Sequence, residues 1–181
     1  MCARIRRTVL GATLLELLVA MALLAALLRL SAPVYGSWVA ELEQRGAADA
    51  LVDTLQRARS EAIKRSGRVT VCRTLDRKSC ASAGPWEVGW LTFDDGAGAG
   101  QPAPGDPLIE AAPLLAGAVS IVGNRPVADY VSYTSYGHPH TLAGALQIGT
   151  FTVCRSGLNA LHVVLASSGR LRIVKTPIAC P

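Results

Sequence analysis

The chain has 181 residues, a formal net charge of +5 and 50% hydrophobic residues, with a mean hydropathy of +0.33. That length allows one domain plus an anchor. The apolar balance excludes a chain that is soluble domain throughout, because a segment outside the soluble core must carry part of the apolar weight.

That segment opens the sequence. Between residues 12 and 28 the only polar residues are Thr13 and Glu16. As a helix the stretch measures roughly 25 Å, near the hydrocarbon thickness of a bilayer. Arg4, Arg6 and Arg7 precede it, and the positive-inside rule keeps that end in the cytoplasm and sends the remainder across. A secretory signal would place small residues after the apolar run. Here Gly11 stands before it, so a cut after Gly11 removes the leader, residues 1–11, and keeps the anchor. The cut also removes Cys2 and three arginines, leaving four cysteines and a net charge of +2. Glu16 then lies inside the apolar run, where a charge costs about 2.5 kcal/mol or more and calls for a partner. Arg29, at the outer edge, is placed to reach headgroups with its long stem.

The periodicity predicts one long helix from Ala12 to about Ser66, kinked at Pro33 and weakened at Gly36 and Gly46. It divides into a membrane and assembly half, 12–35, and an amphipathic half, 36–66. In the second half Trp38, Leu42, Leu51, Val52, Leu55, Ala58 and Ala62 recur at helical spacing, with charges such as Glu41, Glu43, Asp53 and Arg57 elsewhere. Arg57 and Arg59 lie on the helix among acids. Gly67 is the expected stop.

The segment 67–181 is β-rich. Strands are expected at 68–73, 87–93, 119–122, 129–133, 147–155, 161–166 and 170–175, with a Gly/Pro-rich loop at 94–107. The fold class is α+β, with the helix's second half packed on an antiparallel sheet. Cys72, Cys80, Cys154 and Cys180 suit an oxidising compartment. They allow three pairings, of which the economical one joins Cys72 to Cys80 and Cys154 to Cys180. A metal site with His138, His140 or His162 is the alternative, but no ligand spacing supports it. Asp94 and Asp95 fit a turn better than a cation site. No catalytic triad, nucleophile elbow or phosphate loop is present, so neither an enzyme nor a cofactor is expected.

The stretch GATLLELLVAMALL resembles a type IV prepilin cleavage and assembly motif. ARSEAIKRSGRVTVC, WEVGWLTFDD, YTSYGHP, GTFTVC and SSGRLRI continue the likeness, to the GspH/FimT family of minor pilins and pseudopilins. The resemblance implies a type IV pilin-like fold. It implies a prepilin peptidase that cuts after Gly11 and methylates Ala12, where relatives carry an aromatic residue or Met. It gives Glu16 the role of neutralising the N-terminal amine of a neighbouring subunit. It implies a single-pass inner-membrane protein with its C-terminal domain in the periplasm, which joins other pilins or pseudopilins in a pilus or pseudopilus.

The tail adds a charge argument. Residues 12–129 hold 11 basic and 13 acidic side chains, whereas 130–181 hold Arg155, Arg170, Arg172 and Lys175 and no acid. Arg170 and Arg172, two apart on a strand after a Gly turn, share a face about 7 Å apart, a spacing compatible with successive phosphates. This Gly-Arg-Leu-Arg stretch resembles the DNA-binding tail of FimT-type minor pilins, which serve DNA uptake in natural transformation. Lys175 joins by proximity, and Tyr130, Tyr133 and Tyr136 are candidates to stack bases. As a control, joint replacement of Arg57 and Arg59 by Gln is expected to do little to DNA binding. The same arginines also fit the ordinary protection of an edge strand. The other reading is thus a structural subunit that primes assembly without a ligand, including a type II secretion pseudopilin.

Overall fold

The computed structural model describes residues 13–112, 115 and 117–181, with the side chains of 28–34 outside this set. Two compact units meet in sequence at Val39/Ala40. Helix α1 (Leu14–Arg65) is followed by β1 (Val69–Arg73), β2 (Trp90–Asp94), β3 (Leu108–Ala111), β4 (Val119–Gly123), β5 (Tyr130–Tyr133), β6 (Gly149–Arg155), β7 (Asn159–Leu165) and β8 (Leu171–Ala179). Short 3-10 turns occupy Trp86–Val88 and Arg125–Val127.

In the N-terminal unit, Thr13 starts the helix. Its hydroxyl accepts the Glu16 backbone N–H at 3.3 Å, and its carbonyl accepts that of Leu17 at 3.1 Å, satisfying donors that a helix start leaves open. Helical structure runs through Pro33, Gly36 and Gly46. Leu14, Leu15, Leu17, Leu18 and their neighbours up to Leu27 are exposed. No helix among the described residues is long and apolar enough to cross a membrane. The expected span, 12–35, includes residue 12 and the side chains of 28–34. Gly11 and Ala12, the expected cleavage site, lie outside the described residues.

In the second unit, from Ala40 on, the buried helix face is Gln44, Ala47, Ala48, Leu51, Leu55, Ala58 and Ala62. The 3–4 spacing is the expected one, but within this unit it starts later than predicted: Leu42 is 52% exposed. Four alanines let the backbone approach closely. They pack with the inner residues of two four-stranded antiparallel sheets, β3-β2-β1-β5 and β4-β6-β7-β8, where a single sheet was expected. Val69, Val71, Trp90 and Tyr133 come from the first sheet, and Ile121, Phe151, Val153, Val163 and Leu165 from the second. Trp86 meets Phe151 edge to face, with centroids 5.2 Å apart, a geometry favoured by the ring quadrupoles.

Buried polar groups are tied across elements. Gln44 Nε2 donates to the Val153 and Asn159 carbonyls at 3.0 and 2.9 Å, clipping the helix to β6 and β7. Trp90 Nε1 donates to Thr54 Oγ1 at 2.9 Å. The helix ends in a Schellman arrangement, Ser66 N to Ile63 O and Gly67 N to Ala62 O. The left-handed residue is Ser66, with φ 51°, one place before the expected Gly67.

Strand β3 was not anticipated. It is a four-residue edge strand after the Pro-rich loop, and Glu110 breaks its apolar pattern. That loop is organised by Asp95, which is 1% exposed. Its carboxylate accepts from Thr70 Oγ1 at 2.7 Å and from the backbone of Ala99 and Gly100, so its charge is met by protein donors.

The structure joins Cys72 to Cys80 and Cys154 to Cys180, with Cα separations of 5.6 and 5.4 Å. The second bridge closes 26 residues of sequence and ties the end of β8 to β6. Cys180→Ser is expected to lower stability by about 3 kcal/mol in the loop-entropy account and to loosen the tail before the core. Denaturant unfolding of that variant, with hydrogen exchange at residues 176–181, measures both, and a stability within experimental error of the parent contradicts the expectation.

Candidate nucleic-acid interface

β7 and β8 are joined by Ala166–Arg170. Gly169 N donates to Ala166 O at 2.9 Å and Ala166 N to Arg170 O at 3.0 Å. This is a type I turn closed by a left-handed glycine, with Gly169 at φ 78°. A Cβ on Gly169 would lie 2.5 Å from the Gly137 carbonyl oxygen. The turn therefore seats directly on a second turn of the same design, Thr134–His138, where Gly137 has φ 73°.

Arg59 holds the two turns together from the helix. Its Nε donates to Gly137 O at 3.0 Å, and the side chain packs against Gly169. His138 Nδ1 donates to Ser167 O at 3.2 Å from the other side. Both arginines of the expected control pair thus have intrachain contacts. Arg57 pairs with both carboxylate oxygens of Glu110 at 3.1 and 2.9 Å, fastening α1 to β3. Sequence reasoning missed Arg59 because its partner is a backbone carbonyl 78 residues away.

Beyond the turn, Arg172 lies opposite Val164, and Val174 opposite His162. Alternation places Arg170, Arg172 and Val174 on the outer face and Leu171 and Ile173 against the core. Arg170 and Arg172 are exposed and flank a groove of about 290 Å³ floored by Val164 and Ala166. Neighbouring outer positions carry Thr150, Thr152 and His162. None of β4, β6, β7 and β8 contains a carboxylate.

Lys175 departs from the pair. It lies opposite the core-facing Leu161, and its Nζ meets Glu41 at 3.3 Å. The structure thus brings Arg170 and Arg172 together and turns Lys175 to the opposite face. Other cations are also engaged: Arg73 with Asp129, Arg155 with Glu43, and Lys64 and Arg65 with Glu61. Among the described residues Arg170 and Arg172 have neither an ion pair nor a hydrogen bond from the side chain.

The three tyrosines separate as well. Tyr133 is fully buried, and burial pushes its hydroxyl pKa well above the usual tyrosine value. Tyr130 is half-buried, its hydroxyl accepting Leu142 N–H at 3.1 Å. Tyr136, at the tip of the Thr134–His138 turn, is 82% exposed and alone of the three offers a ring face to solvent. No group of three His, Cys, Asp or Glu side chains comes together as a metal site among the described residues.

A family model described as "Type II transport protein GspH" matches residues 47–169, about two-thirds of the chain. A comparison with curated proteins gives no match. Among solved structures, the type IV minor pilin FimU of Pseudomonas aeruginosa is similar at 16% identity, with a TM-score of 0.56, covering 76% of this chain and 96% of that one. The minor pseudopilin EpsH of the type 2 secretion system of Vibrio cholerae aligns at 14% identity and a TM-score of 0.48, covering 74% and 97%. The FimU likeness shows a shared pilin-like fold, with an N-terminal helix packed on antiparallel sheets, and the extent of the family match shows that the chain belongs to the GspH family.

Proposed function

We propose that the protein is a minor filament subunit that binds DNA without sequence preference through Arg170 and Arg172, for DNA uptake in natural transformation. A prepilin peptidase removes residues 1–11 and methylates Ala12. Residues 12–35 anchor the chain in the inner membrane and pair with other pilins, and the domain 67–181 stands in the periplasm. One observation carries the DNA reading: the two guanidiniums lack partners among the described residues and project from a sheet face whose strands hold no carboxylate. An edge strand protected against aggregation needs charge but not this neutral-to-positive surround.

Phosphate contacts of this kind release counterions, so affinity falls with salt. Arg170→Gln with Arg172→Gln is expected to lower the salt slope for duplex DNA by about two units and to weaken binding roughly tenfold or more at moderate salt. Fluorescence anisotropy on the full chain in detergent micelles measures this, with circular dichroism to check folding. Lys175→Gln, on the opposite face, is expected to change little. A wild-type chain that shows no salt-sensitive binding at micromolar protein removes the DNA reading. The structural-subunit reading, including a type II secretion pseudopilin, is favoured by the description of the matching family model and would then stand.

A further inference from the structure

A cleft of about 530 Å³ opens beside the Thr134–His138 turn, lined by Arg68, Tyr136, His138 and His140 together with small polar residues. Its lining contains no carboxylate. A second cleft of the same volume, along α1 and β3, has Asp53, Glu61 and Glu110 in its walls, which disfavours a polyanion there. The first cleft is also rigidly built. Arg68 Nη1 donates to Ser132 Oγ at 2.9 Å, His140 N to Ser132 O at 2.9 Å, and the turn carrying Tyr136 is held by Arg59. Through His138 and Ser167 it abuts the turn that ends in Arg170.

From this geometry we infer that the cleft receives an unpaired nucleobase of the DNA strand whose phosphates lie on Arg170 and Arg172. The protein therefore favours single-stranded segments and frayed ends over blunt duplex. The inference rests on the DNA reading above. A duplex keeps its bases stacked on each other, whereas an unpaired base has a free π-face for Tyr136 and the imidazoles. Arg68 supplies a cation at the rim for the adjoining phosphate. The volume falls within the range of small-ligand sites.

The test compares a labelled oligothymidylate with a blunt duplex of equal length on the full chain in detergent micelles. Tyr136→Ala is expected to weaken oligothymidylate binding about tenfold, the loss typical of one stacked base, while duplex binding stays within about twofold. Tyr136→Phe keeps the ring and is expected to bind as the parent does. Equal losses for both DNA forms, or no loss for either, overturn the cleft assignment and leave the arginine reading intact. A parent chain that binds neither DNA overturns both. Because Tyr136 is exposed at a turn tip, its removal leaves the core packing untouched.

Discussion

Gly169→Ala is expected to destabilise the second unit by about 3 kcal/mol, lowering Tm by about 10 °C. Two costs add. The left-handed backbone, φ 78°, costs a residue with a Cβ about 1–2 kcal/mol. The new methyl would sit 2.5 Å from Gly137 O and 3.0 Å from Arg59 Nε, so the two stacked turns must part. Gly157→Ala isolates the first cost. Gly157 has nearly the same φ, 83°, but nothing within 4 Å of its would-be Cβ. That variant is expected to lose only about 1 kcal/mol. Equal losses at the two glycines would refute the account in which Gly169 is required for contact as well as for conformation. The same substitution should reduce DNA binding in folded protein, because Arg170 follows the displaced turn directly.

The packed turns also show what the sequence can and cannot disclose. Local signals were legible. The alternation around Leu171 and Ile173 placed Arg170 and Arg172 on one outer face, and the i, i+3, i+4 spacing from Leu51 to Ala62 marked the buried helix face. The long-range partners were not. Nothing adjacent to Arg59 announces that a carbonyl in another turn will take its proton donor, and nothing near Lys175 announces Glu41. Charge pairing of this kind is set by the register of β8 against the helix, which hydrophobic patterning does not encode. Tyr133 and Tyr136 differ by three residues and look alike in sequence, yet one ends a strand facing the core and the other caps a turn. Two sheets replaced the expected one because strand pairing between β2, β1 and β5, and separately among β4, β6, β7 and β8, joins distant segments whose individual patterns are the same.

Glu16→Ala is expected to abolish entry into filaments while leaving leader removal after Gly11 intact. Glu16 sits in the first turn of α1, exposed, and among the described residues its carboxylate has no ion-pair partner within the chain. In lipid an isolated carboxylate costs about 2.5 kcal/mol or more. Under the proposed pairing, an ammonium from the N-terminus of a neighbouring subunit would offset that cost. Removing one member of a buried pair costs about 3–5 kcal/mol, more than a hundredfold in the equilibrium for incorporation. A purely local role predicts far less. Glu16 lies three residues after the capping Thr13, and an acid there favours the helix dipole by about 0.3–1 kcal/mol. Thr13→Ala separates the two, because it removes the cap and keeps the charge. Immunoblots of sheared filaments against membranes measure incorporation, and the mobility of the membrane-bound form reports cleavage. Under charge pairing, Glu16→Ala and Glu16→Gln are both absent from filaments and Thr13→Ala enters nearly as the parent does. Incorporation of Glu16→Ala at the parent level would dispose of the pairing and leave Glu16 as a helix-start residue.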